Sequence, residues 1–214
     1  MLIQNSVLTQ VTGPTTLIDA LTRTPTFAEQ RAHLESEGRR RAFFAKSNRL
    51  RDYHYQPLDM TQRLLDFNLV MPEPGTIEQG PCGKDHADGV ICWRTWRMEH
   101  WGTQHPGSDL EIVEHARGWV DIRFETPGHH PFALVAELSR RFPDVDLEIS
   151  YADEALGTNL GQYTVTNGEV THETEFAEGG PEALDYAARL RTGFSYEALL
   201  ADADMDREWE RLHS

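Results

Sequence analysis

The chain has 214 residues, 35 of them acidic and 20 basic, for a formal net charge of −15 with histidine neutral. Hydrophobic residues make up 39% and charged residues 26%, which excludes a disordered chain and leaves room for one large domain, or one domain with an appended helical piece. No apolar run reaches the roughly 18 residues of a membrane helix, and two cysteines, Cys82 and Cys92, imply no disulfide scaffold.

Asn5 to Thr12 reads as a strand, with Val7, Thr9 and Val11 alternating against Ser6, Leu8 and Gln10. Gly13-Pro14 ends it, and Thr15 or Thr16 caps a short helix carrying Leu17, Ile18 and Leu21. Thr26 and Glu29 have capping-box spacing, and a polar helix runs from Phe27 to about Leu50. Leu64 to Met71 is an apolar run that predicts a strand leaving into a loop at Pro72-Glu73-Pro74-Gly75. A Gly-rich loop spans Gly75 to Gly89, and Val90 to Trp101 is a tryptophan-rich helix stopped by Gly102.

Trp119 to Glu125 alternates as a half-buried strand, with Val120, Ile122 and Phe124 on one face. Pro131 to Phe142 is a helix striped by Leu134, Val135, Leu138 and Phe142. Val145 to Tyr151 and Gly161 to Thr166 alternate again, and Asn167-Gly168 is a hairpin turn. Two helical stretches follow, Glu182 to Arg191 and Tyr196 to Leu212. This order predicts an α+β fold: a ferredoxin-like, split βαβ antiparallel sheet with helices on one face, plus a C-terminal helical appendage. The expected division is a domain over 1–170, with a helical insertion at about 27–60 and a loop plus Trp-rich helix at 75–102, followed by an acidic helical segment over 171–214.

Asn5-Ser6-Val7-Leu8-Thr9-Gln10-Val11-Thr12-Gly13, Asp66-Phe67-Asn68-Leu69-Val70-Met71-Pro72-Glu73, His100-Trp101-Gly102-Thr103 and Phe142-Pro143 with Tyr151 resemble the YubB-type ferredoxin-like family. The resemblance covers about 1–170 and is strongest over 96–168. It implies a plasmid or phage origin and assigns no catalytic residue. Two places depart from that family's pattern: Leu2-Ile3-Gln4 replaces an opening Pro-x-Trp-Cys, and Gln104-His105-Pro106 replaces Lys-Trp-Asp.

Charge is uneven: net +3 over 1–64, −10 over 65–168 and −8 over 169–214. The one basic patch is Arg39, Arg40, Arg41, Lys46, Arg49 and Arg51, a candidate for nucleic acid. The acidic tail repeats Asp202, Asp204, Asp206, Glu208 and Glu210, with Met205, Trp209 and Leu212 spaced to dock it. Solubility explains such a charge; a partner with a basic surface is the functional alternative.

Cys82, His86 and Cys92 offer a Cys-x3-His-x5-Cys set to which His100 or His105 could add a fourth ligand, but the spacing matches no standard zinc site. His129-His130 invites acid–base or metal chemistry, although adjacent side chains on extended chain point apart. Trp93, Trp96 and Trp101 are expected to pack their helix on the sheet, with base stacking as the alternative. No phosphate loop or nucleophile elbow is present, and no cofactor is called for. The expected function is non-enzymatic: a cytoplasmic mobile-element protein, an acidic inhibitor of a host nucleic-acid-binding defence complex such as CRISPR or restriction. A metal-dependent or small-molecule enzyme using the Cys/His set is the alternative, and a membrane role is not expected.

Overall fold

A computed structural model of the chain describes residues 5–47, 49–77 and 91–203. Strand β1 (Ser6–Pro14) leads into the short helix α1 (Leu17–Leu21), and β2 (Thr22–Arg23) into the long helix α2 (Phe27–Lys46). β3 (Leu64–Leu65) and α3 (Trp93–His100) precede a strand pair, β4 (Ser108–His115) and β5 (Trp119–Pro127). Helix α4 (Phe132–Arg140), strands β6 (Leu147–Asp153), β7 (Leu160–Thr166) and β8 (Glu169–Thr174), and helix α5 (Pro181–Thr192) complete the order. Residues 196–203 are helical.

Six strands form one sheet in the order β4-β5-β1-β6-β7-β8, every neighbour antiparallel. Because β1 runs antiparallel to both β5 and β6, those two are parallel to each other, joined by α4 across the inserted strand. This is the split β-α-β expected of a ferredoxin-like sheet. At the far hairpin Asn167 and Gly168 both have positive φ, 49° and 83°, the geometry that suits the sheet's right-handed twist.

The two faces of the sheet are covered differently. Val7 and Val11 of β1, Val120, Ile122 and Phe124 of β5, and Leu147 and Ile149 of β6 are fully buried. Apart from Val7, these join Leu17 and Leu21 of α1 and Leu134, Val135 and Leu138 of α4 in one core. Helix α3 closes the same core with Trp96 and Trp101, whose indole N–H donates to the Met71 carbonyl at 2.9 Å. Helix α5 lies on the opposite face, over Leu8 and Ala152, where Ala183, Ala187 and Ala188 let it approach closely. Arg191 ties it down, donating to Glu125 at 3.0 Å and to the Ala152 carbonyl at 2.9 Å. Helices α1 and α4 thus share one face as expected, and the expected C-terminal helical part covers the other, its alanine spacing giving it a sheet-facing stripe of its own.

Two local features differ from expectation. The Leu64–Met71 run is a strand only at Leu64–Leu65, because Asp66 accepts from the Asn68 N–H and starts a 3₁₀ turn that buries Phe67 and Val70. Strand β4 had no counterpart in the sequence reading. As expected, Trp96 and Trp101 pack into the core, and Arg97 lies about 5 Å from the rings of both Trp93 and Trp101 while pairing with Glu73.

Helix α2 starts with the expected capping box, Thr26 and Glu29 each bonding the other's backbone N–H. It stands off the sheet and packs on the turn at Leu50–Asp52. Phe27 and Phe43 on it are 83% and 66% exposed. Strand β8 crosses the boundary expected at 170. Among the described residues no helix is long and apolar enough to cross a membrane.

The sheet's dependence on β1 is directly testable. A fragment of residues 104–203 carries every other strand of the large sheet and is expected to show no cooperative thermal transition alone. Adding a peptide spanning residues 5–15 should restore one. Cooperative unfolding of the fragment by itself, followed by circular dichroism, would contradict this.

Candidate functional site

Where β5 leaves the sheet, Gly128 turns the chain at φ 77° and His129 and His130 precede α4. The pair separates as extended backbone requires: His129 is exposed, while His130 turns beneath the start of α4. Its Nδ1 lies 2.9 Å from the Thr9 hydroxyl and its Nε2 lies 2.7 Å from the Tyr163 hydroxyl. The Tyr151 ring stacks on it at 4.3 Å and 10°, and the Tyr163 ring meets it edge-on at 5.7 Å.

Strand register assembles these groups. Thr9 lies between Phe124 and Tyr151 on the neighbouring strands, inside an otherwise apolar face. Tyr151 is paired with Gly161, and a Cβ there would come within 2.7 Å of the Tyr151 ring, so only glycine lets that ring settle. Tyr163 is paired with Glu173 of edge strand β8. Beyond the imidazole opens a cavity of about 520 Å³, lined by His129, His130, Phe132, Tyr151, Asn159, Tyr163, Val170 and Glu173. Asn159 is held at its rim by Asp153, which accepts from its side-chain amide at 3.1 Å.

Desolvation pushes the His130 pKa down to about 3. Burial, with smaller contributions from the other tyrosine and Glu173, raises Tyr163, and burial and Glu173 raise Tyr151. At neutral pH the imidazole is uncharged with both nitrogens occupied, and both phenols keep their protons. A base that weak and that fully engaged is poorly placed for proton transfer at pH 7. What the cavity offers is aromatic surface, phenol and amide groups, and one carboxylate.

Of the Cys/His set only Cys92, His100 and His105 lie among the described residues. Cys92 is buried at the start of α3; Cys82 and His86 lie outside the described residues. His100 stacks on Trp96 and His105 lies against Trp93, well apart in role from His130. Among the described residues no three His, Cys, Asp or Glu side chains gather as metal ligands. In the basic patch Arg40 pairs with Glu37 at 3.2 Å, and Arg49 with Asp52 at 3.0 Å, with Arg51 3.6 Å from the same carboxylate. Arg39, Arg41 and Lys46 are exposed. Asp202 is exposed on the last described helical turn; Asp204, Met205, Asp206, Glu208, Trp209, Glu210 and Leu212 lie outside the described residues.

Thr9, Tyr151, Tyr163 and Glu173 were not singled out as site residues. The available signal was a threonine and two tyrosines at inward positions of alternating strands, where polar atoms need partners.

Sheet and cavity together define an α+β protein with a ferredoxin-like sheet and a half-open aromatic pocket under one helix end. Residues 108–192 match the family model described as the ferredoxin-like domain in Api92-like protein. The matched stretch begins at the first residue of β4 and ends at the last of α5. A crystal structure of protein Api92 from Yersinia pseudotuberculosis is also similar, at 18% identity, covering 57% of this chain and 44% of that one, with a TM-score of 0.46. This chain thus spans less than half the length of that protein. No curated protein matches it.

The His130 shift fixes a pH dependence. Its folded pKa lies below its ordinary 6.5, so as pH falls the unfolded chain takes up the proton first. Stability is full above about pH 6.5 and is lost progressively toward pH 3, by about 2 kcal/mol between pH 7 and pH 5 at 1.36 kcal/mol per pKa unit. His130→Gln should flatten this slope in urea titrations. His130→Ala should cost about 3 kcal/mol at pH 7, by opening a cavity and unpairing the Thr9 and Tyr163 hydroxyls.

Proposed function

We propose that the protein acts without catalysis, in the cytoplasm, by binding a partner with a basic surface. The observation that carries this reading is which carboxylates are left uncompensated. Several acids of the body meet arginines: Glu29 and Asp66 meet Arg23, Glu73 meets Arg97, Glu125 meets Arg191, and Asp185 meets Arg189. Between Glu169 in β8 and Glu182 in the first turn of α5 the chain carries five glutamates and no lysine or arginine. Glu169, Glu173, Glu175, Glu178 and Glu182 are exposed and make no ion pair among the described residues. Such a one-signed strip steers an oppositely charged partner and accelerates encounter. The weak basicity of His130 removes the best-placed acid–base candidate and supports the same reading.

The partner class follows from chemistry and from the YubB-type resemblance together. A basic groove that normally holds nucleic acid is the complementary surface, and a plasmid or phage protein has reason to occupy one on a host defence complex such as CRISPR or restriction. A second reading rests on α2, whose exposed Arg39, Arg41 and Lys46 offer phosphate contacts; salt-dependent binding of labelled DNA, lost when these three become alanine, would favour it.

Affinity capture from host lysate tests the first reading. A basic nucleic-acid-binding complex should be retained at low salt and released at high salt. Replacing Glu169, Glu175, Glu178 and Glu182 by glutamine should slow association about tenfold or more at low ionic strength. Recovery of no such complex at either salt would sink the proposal.

A further inference from the structure

We propose that the cavity beside His130 is a socket for an organic cation, a guanidinium or alkylammonium group, presented by a basic side chain of the partner. Three features of the cavity select that charge. Its walls are aromatic: Tyr151, Tyr163 and Phe132, with the Phe132 and Tyr163 rings 5.6 Å apart. Electron-rich ring faces attract cations, and more strongly where water is partly displaced. Its one carboxylate, Glu173, is brought there by register, directly across from Tyr163 on the neighbouring strand. Among the described lining residues there is no lysine or arginine to balance it.

The other ligand signs fit worse. An anion would face Glu173 with only the exposed His129 to help. A neutral ring would stack on the aromatics but leave Glu173 partly desolvated without a partner, which is costly. His130 does not oppose a cation, since burial keeps it neutral at physiological pH. Phe132, 48% exposed at the mouth of the cavity, is positioned to cover the stem of a long basic side chain.

This inference rests on the basic-partner reading only for the source of the cation, so the two are tested separately. The full chain is titrated with N-acetyl-arginine-N-methylamide, with the citrulline analogue as an uncharged control of nearly the same shape, while tyrosine ring resonances are followed by NMR. Saturable shifts of Tyr151 and Tyr163 are expected in the millimolar range. Binding should be about tenfold weaker for citrulline, and about tenfold weaker for Glu173→Gln, as removal of a partly desolvated charge contact implies. Phe132→Ala, at an exposed position that spares the core, should also weaken it. Equal binding of citrulline, an unchanged affinity in Glu173→Gln, or no saturable shift overturns the socket, whatever partner is captured. Glu173→Gln is then compared with the wild type in the capture experiment. Weaker retention supports the partner's side chain as the source. Unchanged retention alongside lost arginine binding upholds the cation site and overturns its use by the partner.

Discussion

Everything in this molecule waits on one strand. β1 fills the gap between β5 and β6, and its partners lie more than 100 residues away: Val11 faces Ile122 on one side and Ile149 on the other. Without it two parallel strands joined by α4 would face each other across an empty slot, each with a row of unpaired backbone groups. The inserted strand also serves both faces. Val11 enters the large core while Leu8 is buried on the far side beside Ala152 of β6, the strand that α5 packs on, so the same nine residues serve two apolar layers.

The cavity inherits this dependence. Thr9 is the residue of β1 that breaks the apolar alternation, and its hydroxyl holds one nitrogen of His130. The other nitrogen is held from β7, two strands away. The imidazole is thus a polar rivet between strands near the start and the end of the sheet's construction, and its neutrality follows from how tightly those strands close around it. The pocket gains rigid aromatic walls because the ring that would otherwise do chemistry is spent on positioning them.

Much of the fold was legible because local signals agreed with the global arrangement. Alternation marked β1, β5, β6 and β7, the Thr26–Glu29 box marked the start of α2, and Asn167-Gly168 marked the last hairpin. β4 was hidden because its alternation is broken by a bulge: the register shifts between Ser108 and Glu111, and Asp109 adopts φ 51°. The Leu64–Met71 run misled because Asp66 is a capping residue as well as an interruption, and the turn it starts buries Phe67 more effectively than a strand would. For the site, His130 was visible as a residue but not as a partner of Thr9, since register between distant strands is not written in either one alone. The weight of Glu173 was invisible too. Its meaning depends on which arginines the other acids have already found, and those pairings are properties of the folded surface.

The central strand also sets the order of events during synthesis. β1 leaves the ribosome before its partners, with Val7 and Val11 on one face and Leu8 on the other, and β6 follows about 135 residues later. At roughly 5–20 residues per second that is an interval of about 7–27 s, far longer than the microseconds a hairpin needs. Until β5 follows, Val7, Leu8 and Val11 have no strand partner, beside a nascent chain whose long polar helix α2 can already form. Helix α2, which follows β1 and α1, holds the most basic run of the sequence, Arg39, Arg40 and Arg41 in succession. Like charges on that helix would keep neighbouring nascent chains apart while β1 waits. The arrangement makes expression temperature and translation speed, more than final stability, the conditions to which the yield of folded protein is most sensitive.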